Sequence, residues 1–353
     1  MAAYTAVDDP TAYFKVQLYT GNGSTNAITF NDTDTNMQPD WVWLKNRNSS
    51  GHDHFLFDVV NGVQKFLSTN DTGALSSADS SYLTAFNSDG FTLGSSDGMN
   101  ENSINFFSWN WKAGTSFTND SSATGIGSID SAGSVSTTSG FSIIKWTGTG
   151  ATGTIAHGLG VVPKIIIVKS LANTTVWMVQ HASLGNAKEI YFNRSDAAGN
   201  STAWNSTTPT STVFSVTGGG GDGVNASGDY IAYCFADVQG FSKFSSYKGN
   251  GNANGTFIYT GFTPELLWIK RSNDAANWVL KTKSSPGYNV NNNYIYGNLA
   301  NNEASGSAVD FLSNGFKWRI DGANQNSSGD TFIYAAFAKA PIVNSNGVPS
   351  NAI

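Results

Sequence analysis

The feature that most constrains this chain is a set of landmarks that recurs three times in the same order. Tyr19-Thr-Gly-Asn-Gly23, Trp146-Thr-Gly-Thr-Gly150 and Tyr247-Lys-Gly-Asn-Gly251 each set an aromatic before a glycine turn. A proline then leads an apolar run ending in lysine: Pro39-Asp-Trp-Val-Trp-Leu-Lys45, Pro163-Lys-Ile-Ile-Ile-Val-Lys169 and Pro264-Glu-Leu-Leu-Trp-Ile-Lys270. The aromatic-to-proline interval is identical in the second and third copies. It is longer in the first, around Asn31-Asp-Thr-Asp-Thr-Asn36. Phe86-Asn-Ser-Asp-Gly-Phe91 matches Phe311-Leu-Ser-Asn-Gly-Phe316, and each copy closes on an aromatic run, from Phe106 to Trp111, Tyr230 to Phe235 and Phe332 to Phe337. Matched landmarks in a fixed order indicate one structural unit used three times.

Short runs of aromatic and β-branched residues, bounded by Gly, Asn, Asp and Ser, predict strands. Asn-Gly pairs at Asn250-Gly251, Asn254-Gly255 and Asn314-Gly315 suit tight hairpins. No segment of helix length carries a 3.6-residue period. The near-continuous apolar run Ile165-Ile-Ile-Val168 predicts a strand covered on both faces. The predicted fold is all-β, three tandem β-sandwich-like repeats. Residues 1–113 form the first repeat with a short N-terminal arm, 140–238 the second and 239–340 the third. A Ser/Thr/Gly-rich linker is predicted at 114–139, and a C-terminal arm at 341–353. The short link Asp237-Val-Gln-Gly240 predicts that the second and third repeats pack as a rigid pair.

Only 12% of residues are charged and the formal net charge is −6, which disfavours a nucleic-acid partner. The polar surface must come from Asn, Ser, Thr and Gly, groups suited to glycans. Cys234 is the single cysteine and, within Tyr230–Ala236, reads as a small buried hydrophobe. No secretory signal or bilayer-spanning stretch is visible, so no membrane insertion is predicted.

Motifs of enzymes and cofactor sites find weak support. Gly148-Thr-Gly-Ala-Thr-Gly153 matches a dinucleotide fingerprint by letter but lacks a following helix, so it reads as a hairpin. Gly94-Ser-Ser-Asp-Gly98 matches a nucleophile elbow by letter and reads as a polar turn, since no helix is predicted after it. Asp32-Thr-Asp-Thr-Asn36 opens like a calcium loop but lacks its glycine and closing acid. No catalytic residue and no cofactor are predicted. His52-Asp-His54 is the candidate metal pair, because alternate residues of a strand share a face. Trp204 and Tyr288, in polar surroundings without repeat equivalents, are candidates for stacking on a sugar. Trp43, Ile167 and Trp268 occupy one repeated position and read as core.

The stretch Tyr230-Ile-Ala-Tyr-Cys-Phe-Ala-Asp-Val-Gln-Gly-Phe-Ser-Lys-Phe-Ser-Ser-Tyr-Lys-Gly-Asn-Gly-Asn-Ala-Asn-Gly-Thr-Phe-Ile-Tyr-Thr-Gly-Phe262 resembles a repeat domain of marine tailed-bacteriophage virion surface proteins. Val7-Asp-Asp-Pro-Thr-Ala-Tyr-Phe14 and Phe311–Phe316 are similar to it as well. The resemblance implies a virion structural protein of tail-fibre or tail-spike type, assembled in the host cytoplasm. The expected role is a tail-associated adhesin, a homotrimer contacting other virion proteins and host-surface polysaccharide. A capsid decoration protein or head fibre is the alternative. A polysaccharide-degrading tail enzyme is a third reading without a supporting motif.

Overall fold

The computed structural model describes residues 5–30, 35–218 and 223–339, and two short paired strands at Ile342–Val343 and Pro349–Ser350. The fold is all-β. A first unit holds β1 (Phe14–Thr20), β2 (Asn26–Ile28), β3 (Trp41–Asn46), β4 (Phe55–Asp58), β5 (Lys65–Phe66), β6 (Ser76–Ser77), β7 (Leu83–Asn87), β8 (Gly90–Leu93) and β9 (Asn105–Trp111). A hairpin of β10 (Thr115–Asn119) and β11 (Ser131–Ser136) follows. The second unit holds β12 (Phe141–Gly148), β13 (Gly153–Ala156), β14 (Ile165–Ser170), β15 (Met178–His181), β16 (Lys188–Tyr191), β17 (Gly199–Asn200), β18 (Val213–Val216) and β19 (Gly228–Phe235). The third holds β20 (Ser242–Lys248), β21 (Phe257–Tyr259), β22 (Pro264–Arg271), β23 (Val279–Thr282), β24 (Asn291–Tyr296), β25 (Ala304–Leu312), β26 (Gly315–Trp318) and β27 (Thr331–Ala338).

One strand order recurs in the inner sheets: β1-β9-β3-β4, β12-β19-β14-β15 and β20-β27-β22-β23. A second antiparallel layer covers each of them, built on β2-β8-β7, β13-β18 and β21-β26-β25. Alternation along the central strands explains why their runs are apolar throughout. Val42 and Leu44, Ile166 and Val168, and Leu267 and Ile269 face the layer of their own unit. Trp41 and Trp43, Ile165 and Ile167, and Leu266 and Trp268 face the other way, into one cluster shared by all three units. There Trp41 stacks on Tyr233 at 4.9 Å, Phe235 meets Trp268 at 5.8 Å, and Trp111 meets Phe337 at 5.2 Å. Each unit therefore completes its core only with the other two, and the second and third form no privileged pair.

The interfaces repeat to the residue. The Ala300 carbonyl accepts from Gly51 N–H (3.0 Å) and the Lys45 ammonium (3.3 Å). Thr72 O takes the same pair from Thr175 N–H (3.0 Å) and Lys169 (3.2 Å). Ser195 O takes it from Ala276 N–H (2.8 Å) and Lys270 (3.2 Å). Lys169 and Lys270 thus each clasp the preceding unit, and Lys45 closes the first unit onto the last. Ring nitrogens add a second circuit: Trp177 donates to Ser68 O (3.0 Å), Trp278 to Tyr191 O (2.8 Å) and His54 to Tyr296 O (3.0 Å). Arg47 strengthens the closing interface through Glu303 at 2.8 Å.

The glycine turns have a shared partner too. Asn100, Asn225 and Asn326 are buried, and their carbonyls accept from Gly23, Gly150 and Gly251 N–H, each at 2.8 Å. A Cβ on Gly21, Gly148 or Gly249 would overlap the carbonyl of the residue after that asparagine, so the residue two after each aromatic must be glycine.

Residues 114–139 are not a flexible linker. β10 pairs with β11, and β11 pairs with β12, extending the second inner sheet. Phe117 and Val135 pack on the second unit's core between Ser, Thr and Gly, a contribution that composition alone conceals.

Candidate functional site: the cleft beside the inserted hairpin

The inserted hairpin has no counterpart in the other units, and it breaks their symmetry at one place. Between it and the first unit lies a cleft of about 780 Å³. A smaller hollow of about 570 Å³ lies on the other side, where Phe117 again forms part of the wall. The hairpin tip is held by a one-turn helix, α2 (Ser121–Thr124), whose cap Asp120 accepts from Ser122 and Ala123 N–H. Gly125 closes it in the left-handed conformation. Phe117 and Val135 pack so close to Gly158 that any side chain there would collide.

Hydroxyl and amide groups of Gln38, Ser116, Thr118, Asn119 and Ser134 line the cleft. Four carboxylates join them, each already engaged. Asp40 is buried and accepts from Ala113 N–H (2.8 Å); burial pushes its carboxyl up. Asp120 is held low by the Ser122 hydroxyl. Asp130 accepts from Ser121 N–H and hydroxyl, both at 2.8 Å. Asp229 is held low, first by the Thr147 hydroxyl (2.8 Å) and then by Lys145 (3.3 Å). No histidine or cysteine lines the cleft. The arrangement offers fixed acceptors, hydroxyl donors and one ammonium to a polar neutral ligand, without a nucleophile paired to a base.

A family model described as a domain of unknown function, DUF7483, matches residues 9–341. The chain belongs to the DUF7483 family. The DUF7483 match runs through all three units and the inserted hairpin, in keeping with their shared core. No curated protein matches the chain.

Within this DUF7483 domain the sequence-predicted site residues do not converge. Trp204 is fully buried in the second unit's core and is unavailable to a sugar; a polar neighbourhood in sequence concealed a core anchor. Tyr288 is 69% exposed, in the third unit and away from the cleft lining. His54 is buried: its Nδ1 accepts from the Trp43 indole (2.9 Å), so Nε2 carries the proton and donates to Tyr296 O and Leu299 O. Both nitrogens are used, and burial drives its pKa down to about 3. His52 is partly exposed, 4.0 Å from Glu101. His54 thus takes the interface position of Trp177 and Trp278, leaving His52 without a metal partner. Among the described residues no group of three or more His, Cys, Asp or Glu could hold a metal, and no helix is long and apolar enough to cross a membrane. Residues Asn31 to Asp34, which include most of the calcium-like segment, lie outside the described residues.

Gly94–Gly98 does lead into a one-turn helix, α1 (Asp97–Asn100), contrary to the sequence reading. Its product is the position of Asn100 rather than an exposed nucleophile. Gly148–Gly153 is the turn from β12 to β13, with a strand after it. Cys234 is buried, and burial raises its thiol to about 12.

Proposed function

We propose that this DUF7483 protein is a bacteriophage virion surface protein, a tail fibre or tail-associated adhesin, that holds host-surface glycan in the cleft beside the inserted hairpin. The observation that carries the reading is the cleft itself: about 780 Å³, lined by hydroxyls, amides and engaged carboxylates, at the one interface the repeats do not dictate. Such a lining matches the donor and acceptor pattern of neutral sugars. The resemblance of Tyr230–Phe262 to phage virion repeats supports the location. Binding rather than turnover is the proposed activity: Asp120 and Asp229 are held low rather than poised to donate protons, and Asp40, pushed up by burial, is already engaged by Ala113 N–H. Homotrimer formation belongs to the same proposal and would use surfaces outside the three clasps, which close within one chain.

The test is a glycan array of host-envelope polysaccharide, read for the intact protein and for Asp229→Ala. The reading expects saturable binding that weakens at least tenfold in the variant with little change in unfolding midpoint, since an exposed ion pair stabilises by about 0–1 kcal/mol. Silence on the array together with no binding to host cells would defeat it. Immunogold at the tail would support the adhesin; gold over the head would move the protein to the capsid-decoration class.

A further inference from the structure

The third unit carries a hollow that the first unit fills. Phe55 on β4 and Val279 on β23 are equivalent, since each pairs with the residue immediately before the clasp lysine, Leu44 and Ile269. In the first unit the Phe55 ring packs on Phe66 at 5.2 Å and Tyr82 at 6.0 Å, directly against Gly98. In the third unit Val279 is too short to reach that far. Tyr294 stands where Phe66 does, and Asn324, two residues before Asn326, stands where Gly98 does. The space left open is about 140 Å³.

Its walls have two characters. Val279, Tyr294 and Ile320 supply apolar surface, and Tyr294 meets Tyr296 edge-on at 5.0 Å. Opposite them the Asn324 amide donates to the Tyr296 hydroxyl (3.2 Å), and Gln325 donates to the Ser307 hydroxyl (2.8 Å). Behind Ser307 its carbonyl, with those of Asn291 and Asn293, holds the buried Lys281 ammonium, so this wall is fixed. The volume corresponds to a few waters at about 30 Å³ each. It is well below the roughly 300 Å³ at which drug-sized sites begin. A six-membered sugar ring has the matching shape: one C–H face for the tyrosine and aliphatic wall, and a rim of hydroxyls for the amides.

We propose that this hollow binds a single neutral pyranose ring, such as the terminal residue of a glycan. The site is separate from the hairpin cleft and stands whether or not the cleft binds. The probe is a panel of neutral methyl hexopyranosides titrated into the full-length protein, followed by NMR of labelled tyrosine. At least one member is expected to shift Tyr294 and Tyr296 saturably in the millimolar range. Val279→Phe, which restores the first unit's filling, and Asn324→Ala, at the partly exposed rim, should each weaken this at least tenfold. Asp229→Ala in the cleft should leave it unchanged. The proposal is overturned if no member shifts the two tyrosines, or if the shift persists in Asn324→Ala with its fold intact. Calorimetry of Asn324→Ala decides the matter should Val279→Phe fail to fold.

Discussion

At the residue scale, the fold rests on polar groups placed where apolar ones would be expected. Lys45, Lys169 and Lys270 are fully buried, and burial lowers each ammonium to about 8; Lys281 falls to about 7. Between those values and the ordinary 10.5, the unfolded chain binds a proton that the folded chain has released. Stability from these groups is therefore fully present above about 10.5 and is lost as pH falls through 8 to 7. Buried Tyr19, Tyr233 and Tyr247 act oppositely at the top of the range, because burial raises them well above 10. Urea midpoints are thus predicted to rise from pH 7 to 9 and to fall again by pH 11. A midpoint that declines steadily from pH 7 would contradict this. Indole positions give a second prediction. Trp278 donates across an interface, whereas the Trp268 N–H has no partner. Trp278→Phe should cost about 1–2 kcal/mol more than Trp268→Phe in denaturant titrations, because only it removes a hydrogen bond made across an interface. The asparagine clamps are more sensitive still. The Asn326 amide shares its two N–H groups among Asn250 Oδ1, Asn252 O and Ile320 O, and its Oδ1 accepts from Asn250 N–H, so Asn326→Ala should lose on the order of 3 kcal/mol. The lysines were visible in the sequence as the ends of apolar runs. The asparagines were not, since they sit in loops already crowded with Asn and Gly.

At the element scale, strand class and the central runs were legible because aromatic and β-branched residues dominate them. Trp43, Ile167 and Trp268 do occupy one structural position, pairing with Trp109, Tyr233 and Ala335. The inserted hairpin was not legible. Its Ser/Thr/Gly content matches a linker, and only Asp120 ahead of a short run ending in Gly125 signals order. The hairpin bears on function, and it also lends Ile129 and Val135 to the second unit's core. Ser139 donates to the Lys112 carbonyl at 3.4 Å, so its two stems are adjacent and 115–136 can be replaced by a short Gly/Ser bridge. That deletion is predicted to lower the unfolding midpoint, since Ile129 and Val135 leave the second core, yet to keep cooperative unfolding and native tryptophan emission while abolishing array binding. Binding that survives the deletion would place the glycan site elsewhere, and Tyr288 would then return as a candidate. Trp204 would not, because burial rather than neighbouring polarity decides what an aromatic can touch.

At the scale of the whole molecule, the sequence landmarks fall on one recurring strand order, but how the sheets meet was not legible. Local patterns report which residues face inward, and they carry no information on whether an inner face meets its own unit or two others. The answer lies in the second face of each inner sheet, where three sets of large side chains meet in one cluster and three equal clasps close a ring. Cutting the chain into its apparent repeats would expose that face, which small units could not compensate. Scanning calorimetry of the intact chain tests this most directly. A single closed body predicts one transition whose calorimetric and van't Hoff enthalpies agree. Separately resolved transitions, or a calorimetric enthalpy about three times the van't Hoff value, would show three independent sandwiches and contradict the account.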